Sequence, residues 1–204
     1  MRARVILFDG FDELDAIGPY EVLANALGGR EGEVSYVTLD GAREVQASHG
    51  TIVRATGQLD DDATLIVVPG GGWNDDSPRG ARAEARSGEI PRALAQASAR
   101  GVTIASVCTG GMLVATAGLL SGRPAVTHHG ALADLAATGA QVVEARVVDD
   151  GDVLSAGGVT SGIDLALHLV EREFGPDVAA VVAREMEHER RGPVHHGPRS
   201  AGRH

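Results

Sequence analysis

One cysteine, one tryptophan, two tyrosines and three phenylalanines are all that 204 residues contain of these types. A lone cysteine makes no internal disulfide, so stability must come from a core and not from cross-links. Aromatics at 3% leave few rings for stacking nucleobases, and a formal net charge of −10 opposes a phosphate backbone and an anionic membrane alike. No apolar segment opens the chain, and no apolar run is long enough to span a bilayer. Nucleic acid and membrane are therefore not expected as partners. The expectation is a cytoplasmic protein of a reducing compartment.

What is present is aliphatic. Hydrophobic residues reach 43%, almost all Val, Leu, Ile and Ala, enough for the core of one compact domain. Val5-Ile6-Leu7-Phe8, Val34 to Leu39 and Leu65-Ile66-Val67-Val68 read as strands, the first and third continuously apolar and so buried on both faces. A helix after the first strand begins either near Glu13 or at Pro19. Residues 43–56 read as short, half-exposed β pieces, 90–100 as an alanine-rich helix, 125–128 as a short strand and 132–138 as a helix. Asp149-Asp150-Gly151-Asp152 signals a hairpin between flanking valine-rich strands. Ile163, Ala166, Leu167, Val170 and Phe174 share a helical face, with Ser161 and Asp164 as a capping-box-like start and Gly175-Pro176 as its stop. Strands alternating with helices predict an α/β sandwich around a mainly parallel sheet. One domain is expected over residues 1–190, followed by a basic, apolar-poor tail over 191–204, read as mobile.

The cysteine lies in Gly101-Val102-Thr103-Ile104-Ala105-Ser106-Val107-Cys108-Thr109-Gly110-Gly111. A β-branched strand gives way there to a helix start, with small residues at 106 and 110 flanking the sulfur. That is the strand–turn–helix arrangement which exposes a nucleophile on a sharp bend. Unpaired N–H groups and the helix dipole at such a turn favour thiolate. The plainer alternative is a small buried hydrophobe. Asp15 follows the first strand and is read either as an acid facing the same crevice or as a helix cap. If it faces Cys108, carboxylate and thiolate repel and titrate as a unit. Gly70, Gly71 and Gly72 let backbone approach a ligand, and with the Thr109 N–H offer an oxyanion site. They lack the lysine and spacing of a phosphate loop. His128 is a candidate neighbour of the site or a hydrogen-bonded structural histidine, and no metal site is expected. Thr109 stands where a cysteine hydrolase would carry histidine, which argues against a peptidase.

These residues resemble the DJ-1/PfpI superfamily over almost the whole chain. The resemblance is carried by Phe8-Asp9-Gly10-Phe11 through Leu14-Asp15, Gly18-Pro19-x-Glu21-Val22, Pro69-Gly70-Gly71, Cys108-Thr109-Gly110 and the run from Gly157 to Asp164. Within it the chain looks most like the isocyanide hydratase branch, an aspartate at 15 being similar to that branch. The resemblance implies a flavodoxin-like fold shared with class I glutamine amidotransferases, a homodimer, and a cysteine enzyme without cofactor. It assigns catalysis to Cys108, Asp15 and Thr109, with an isocyanide as substrate and a thioimidate on Cys108. Glyoxalase-type carbonyl chemistry, or ligand or redox sensing as in amidotransferase-like domains of AraC-type regulators, are the alternatives. His129 departs from the tryptophan common in relatives, and the ending after Glu189 departs from theirs.

Overall fold

The computed structural model describes residues 1–75 and 77–199. The apolar run at the start forms β1 (Arg2–Ile6), and α1 (Glu13–Leu27) follows a short loop. The helix starts at the earlier of its two candidate positions because the Asp12 side chain accepts the Leu14 N–H at 3.2 Å and caps it. Pro19 therefore sits inside the helix, where it has no N–H to give the Asp15 carbonyl four residues back. β2 (Glu33–Thr38) is followed by an antiparallel hairpin of β3 (Arg43–Gln46) and β4 (Ile52–Ala55), then β5 (Gly57–Gln58).

β6 (Leu65–Val68) is buried throughout, and α2 (Ala81–Ser87) precedes α3 (Glu89–Ala99), whose Ile90, Leu94 and Ala97 face the core. Then come β7 (Thr103–Val107), α4 (Gly110–Thr116), β8 (Pro124–Ala125), α5 (Leu132–Ala137) and β9 (Gln141–Val142). The strand expected over 125–128 stops at Ala125. Beyond it Val126 N–H and Thr127 Oγ1 turn inward to Ser155 Oγ and the Cys108 carbonyl. β10 (Val147–Asp149) and β11 (Val153–Ala156) form the hairpin foreseen around Gly151. α6 (Ser161–Phe174) buries Ala166, Leu167 and Val170 as the spacing requires, and Gly175-Pro176 separates it from α7 (Pro176–Glu185). The capping box is not formed. Thr160 precedes the first turn without a side-chain cap, and Asp164 instead binds Arg146 and His188.

Eight strands make the main sheet in the order β12-β10-β11-β7-β6-β1-β2-β5, where β12 is His195–His196. All its pairings are parallel except β10 with β11. The expected tail thus differs over its described part. His195–His196 pairs with β10, Gly197 N–H binds the Asp149 carbonyl at 2.7 Å, and Arg199 N–H binds Asp150 Oδ1 at 3.0 Å. Residues 200–204 of that tail lie outside the described residues. The physical reason is the open edge of β10, whose backbone groups need partners. α1, α6 and α7 pack together, as do α2, α3 and α4, giving the helical layers of the sandwich. Among the described residues no helix is long and apolar enough to cross a membrane.

β1 has β2 on one side and β6 on the other, so the chain reverses direction across the sheet there. Loops after neighbouring strands diverge at such a point and leave a crevice at the carboxyl ends of the strands. Asp15 follows β1, Gly70 follows β6 and Cys108 follows β7.

Candidate active site

Cys108 holds φ at 56°, a left-handed conformation that a side chain rarely adopts. Hydrogen bonds over-determine it. Its N–H lies 3.1 and 2.9 Å from the carbonyls of Ala156 and Gly157, and its carbonyl accepts Thr127 Oγ1 at 2.7 Å and Gly111 N–H at 3.1 Å. The sharp bend demands small neighbours. A methyl on Gly110 would run into the carbonyls of Val68 and Pro69, and one on Gly70 would lie 2.5 Å from the Thr109 nitrogen. Cys108 is 6% exposed.

Asp15 is fully buried, and its capping alternative is taken by Asp12. Gly70 holds this start of α1 with both of its backbone groups. The Gly70 N–H donates to Asp15 Oδ2 at 2.9 Å, while the Gly70 carbonyl accepts Asp12 N–H at 2.8 Å. Asp15 Oδ1 is the one buried side-chain polar atom among the described residues without a hydrogen-bond partner of ordinary geometry. The Cys108 thiol is still near enough to draw the carboxyl's pKa down in part. Burial and the charge of Asp12 outweigh that and push Asp15 up to about 7. Burial, then the charge of Asp15, push the Cys108 thiol up to about 12, against the N–H groups of Thr109 and Val159 that pull it down. Burial and the charge of Asp15 thus work against the thiolate that the helix start favours. Desolvation wins over the dipole of a seven-residue helix.

The glycine run does other work than an oxyanion site. Gly70 N–H is engaged by Asp15 and Gly71 N–H by Thr109 Oγ1 at 2.9 Å, and Gly72 turns at φ 63° toward the Arg79 carbonyl. These glycines position the acid and Thr109. The N–H groups that approach the sulfur belong to Thr109 and Val159. Val159 was not singled out from the sequence. It is a β-branched residue at φ 40°, and the only signal for it was the Gly157-Gly158 pair ahead of it.

His128 lies beside this loop, since a methyl on Gly158 would come within 2.9 Å of its Cδ2. Gly130 N–H donates to His128 Nδ1 at 3.1 Å and Asn74 Nδ2 stands 3.2 Å away. A backbone N–H only donates, so Nδ1 is the acceptor and Nε2 carries the proton. Burial, then His129, whose ring centroid is 4.1 Å away, hold its pKa below the ordinary value. On the same side Trp73 Nε1 donates to Asp134 Oδ2 at 2.7 Å, with the Arg82 guanidinium 4.8 Å over its ring.

A strained cysteine at a strand–helix bend, with a buried acid from the first helix beside it, on a flavodoxin-like sheet, defines a class. The chain belongs to the DJ-1/PfpI family, whose model matches residues 1–172. It is 37% identical to the isonitrile hydratase of Pseudomonas putida over 191 residues, covering 92% of this chain and 78% of that protein. It is 29% identical to the Parkinson disease protein 7 homolog of Danio rerio, over 89% of this chain and 94% of that one. Among solved structures, a ThiJ/PfpI family protein from Pseudomonas syringae superposes with a TM-score of 0.83 at 27% identity, over 94% of this chain and 76% of that chain.

Proposed function

We propose that the protein hydrates isocyanides to N-substituted formamides, with Cys108 as nucleophile and Asp15 as the proton carrier. The observation that carries this is a cysteine beside a buried carboxyl that has Oδ2 fixed by Gly70 and Oδ1 without a hydrogen-bond partner of ordinary geometry. The likeness to a named isonitrile hydratase supports the substrate class.

The chemistry balances with these two groups and water. Asp15 takes the thiol proton as sulfur forms a bond to the terminal isocyanide carbon, and the carbon lone pair then takes that proton from Asp15. The result is an S-linked thioimidate. Asp15, ionised again, removes a proton from water as its oxygen adds to the same carbon, and the nitrogen is protonated. The carbon–sulfur bond breaks, the sulfur regains a proton and the formamide leaves. A carboxyl near 7 suits both directions of transfer at neutral pH. The Thr109 and Val159 N–H groups stabilise negative charge on sulfur while the proton is away from it. Thr109 Oγ1 ties the elbow to Gly71. His128 stands beside the Gly158 loop. The working unit in this reading is a homodimer, which sedimentation tests directly.

Purified protein incubated with a panel of alkyl and aryl isocyanides and of 2-oxoaldehydes tests the reading. Formamide is expected from the isocyanides and none from Cys108→Ala. Consumption of methylglyoxal with no turnover of any isocyanide would place the protein among carbonyl-processing enzymes instead.

A further inference from the structure

A second titratable cluster lies at the other end of the sheet. β10 runs antiparallel to β11 with Asp149 opposite Leu154, and Val153 pairs with Ile104 near the start of β7, whereas Cys108 follows its end. Asp149 is buried and surrounded by donors. Gly151 N–H reaches Oδ1 at 2.8 Å, His168 Nε2 lies 2.7 Å from Oδ2, and Arg172 is 3.2 Å from both oxygens. Burial raises its pKa, but the His168 and Gly151 bonds and the Arg172 charge prevail and hold it below the ordinary carboxylate value. A carboxylate only accepts, so His168 Nε2 carries the hydrogen. Nδ1, on the other side of the ring, makes no hydrogen bond to any described residue.

His168 is only 6% exposed, yet it lines an open cavity of about 450 Å³ beneath the segment that leads to β12. Arg172, Arg190 and Arg191 line the same cavity. Its two acids are already paired with cations, Asp164 with Arg146 at 2.7 Å and Glu171 with Arg190 at 2.5 Å. Arg172 is matched by Asp149, so the charge of Arg191 is left without an ionic partner among the described residues. The cavity thus combines an uncompensated guanidinium, two further guanidinium groups, and a ring nitrogen without a hydrogen-bond partner among the described residues.

We propose that this cavity binds hydrogen phosphate, remote from Cys108, with the arginines on its charged oxygens and His168 Nδ1 accepting its one hydroxyl hydrogen. Guanidinium pairs match tetrahedral oxyanions. The histidine adds a discrimination that charge alone lacks, because sulfate has the same shape and no hydrogen to donate. Against sulfate, the Nδ1 lone pair would face an oxyanion lone pair.

Calorimetry of the full chain at pH 8 and low ionic strength, with inorganic phosphate and with sulfate as probes, tests this. The expected result is one saturable phosphate site per chain, with sulfate weaker by about tenfold or more. Arg191→Ala, at an exposed position, is expected to weaken phosphate by about tenfold, and Cys108→Ala to leave it unchanged. His168→Phe is expected to remove the preference for phosphate over sulfate. Should that variant not fold, the phosphate-to-sulfate ratio and the Arg191 variant still decide. Equal binding of the two anions, no effect of Arg191→Ala, loss of binding in Cys108→Ala, or no saturable site would each overturn the proposal.

Discussion

At the scale of the residue, one proton is shared between two groups that each disfavour the other's charge. Asp15 is lifted to about 7 from an ordinary 3.8 by burial and by Asp12, and Cys108 to about 12 by burial and by Asp15. The kinetic consequence is a rising limb in kcat/KM as Asp15 ionises, centred near pH 7, where a rate flat from pH 5 to 9 would deny Asp15 the role of base. The same shift has a stability consequence of defined sign. A raised native pKa stabilises the folded protein fully below the unfolded value near 3.8, and that contribution disappears as pH climbs through about 7. Asp15→Asn should therefore gain on the native protein between pH 4 and pH 8 in thermal melts, while its turnover drops by about 10²–10⁴-fold. A folded variant with near-native turnover removes Asp15 from the chemistry. The positions of Cys108 and Asp15 were legible in the sequence because Cys108 ends an apolar run that leads straight into a glycine-bearing turn, and Asp15 follows one by a short loop containing Gly10. Val159 was not, since only the fold shows that a valine is held at φ 40° with its N–H toward the sulfur.

At the scale of the element, the site depends on how closely the β6 loop approaches the start of α4. Gly70→Ala would place a methyl 2.5 Å from the Thr109 nitrogen and Oγ1, prying the two loops apart. Both activity and melting temperature should fall, and a variant with a native melt and native rate would mean that the loops are not in contact. The bend itself is separable from the thiol. At φ 56° a Cβ is strained by about 1–2 kcal/mol, which glycine does not feel. Cys108→Gly should accordingly melt above Cys108→Ala although both lack sulfur. An equal or lower melt would argue that Cys108 is not held in that conformation. The strands around this bend could be read from apolar runs bounded by glycine. Helix boundaries were less legible: Pro19 suggested a start that the Asp12 cap pre-empts, and Asp164 looked like a capping residue although it binds Arg146 and His188.

At the scale of the whole molecule, the sheet order makes the crevice, because chain reversal beside β1 opens the carboxyl ends of β1, β6 and β7 to one space. The alternation of elements foretold a mainly parallel sheet. Strand order and the edge strand at His195–His196 were out of reach, since two polar residues carry no periodicity and pair only because β10 is exposed. That edge is held by buried charge. Arg123 Nε sits 2.6 Å from Asp150 Oδ2, with both side chains nearly inaccessible, and Asp150 Oδ1 receives the Arg199 N–H. Arg123→Met would strand the Asp150 carboxylate and should cost about 3–5 kcal/mol in denaturant unfolding. A loss below about 1 kcal/mol, the range of exposed pairs, would show that water reaches the Arg123 site.

The central claim is that an isocyanide passes through a covalent bond to Cys108. Intact-protein mass spectrometry, with acid quenching during turnover of a simple alkyl isocyanide, measures that directly. Addition of the thiol across the terminal carbon transfers the whole substrate, so the account predicts a transient gain equal to the mass of the isocyanide. The gain should map to the peptide bearing Cys108, decay as formamide accumulates and be absent from Cys108→Ala. Formamide produced at full rate with Cys108 never modified, or produced by Cys108→Ala, would contradict it.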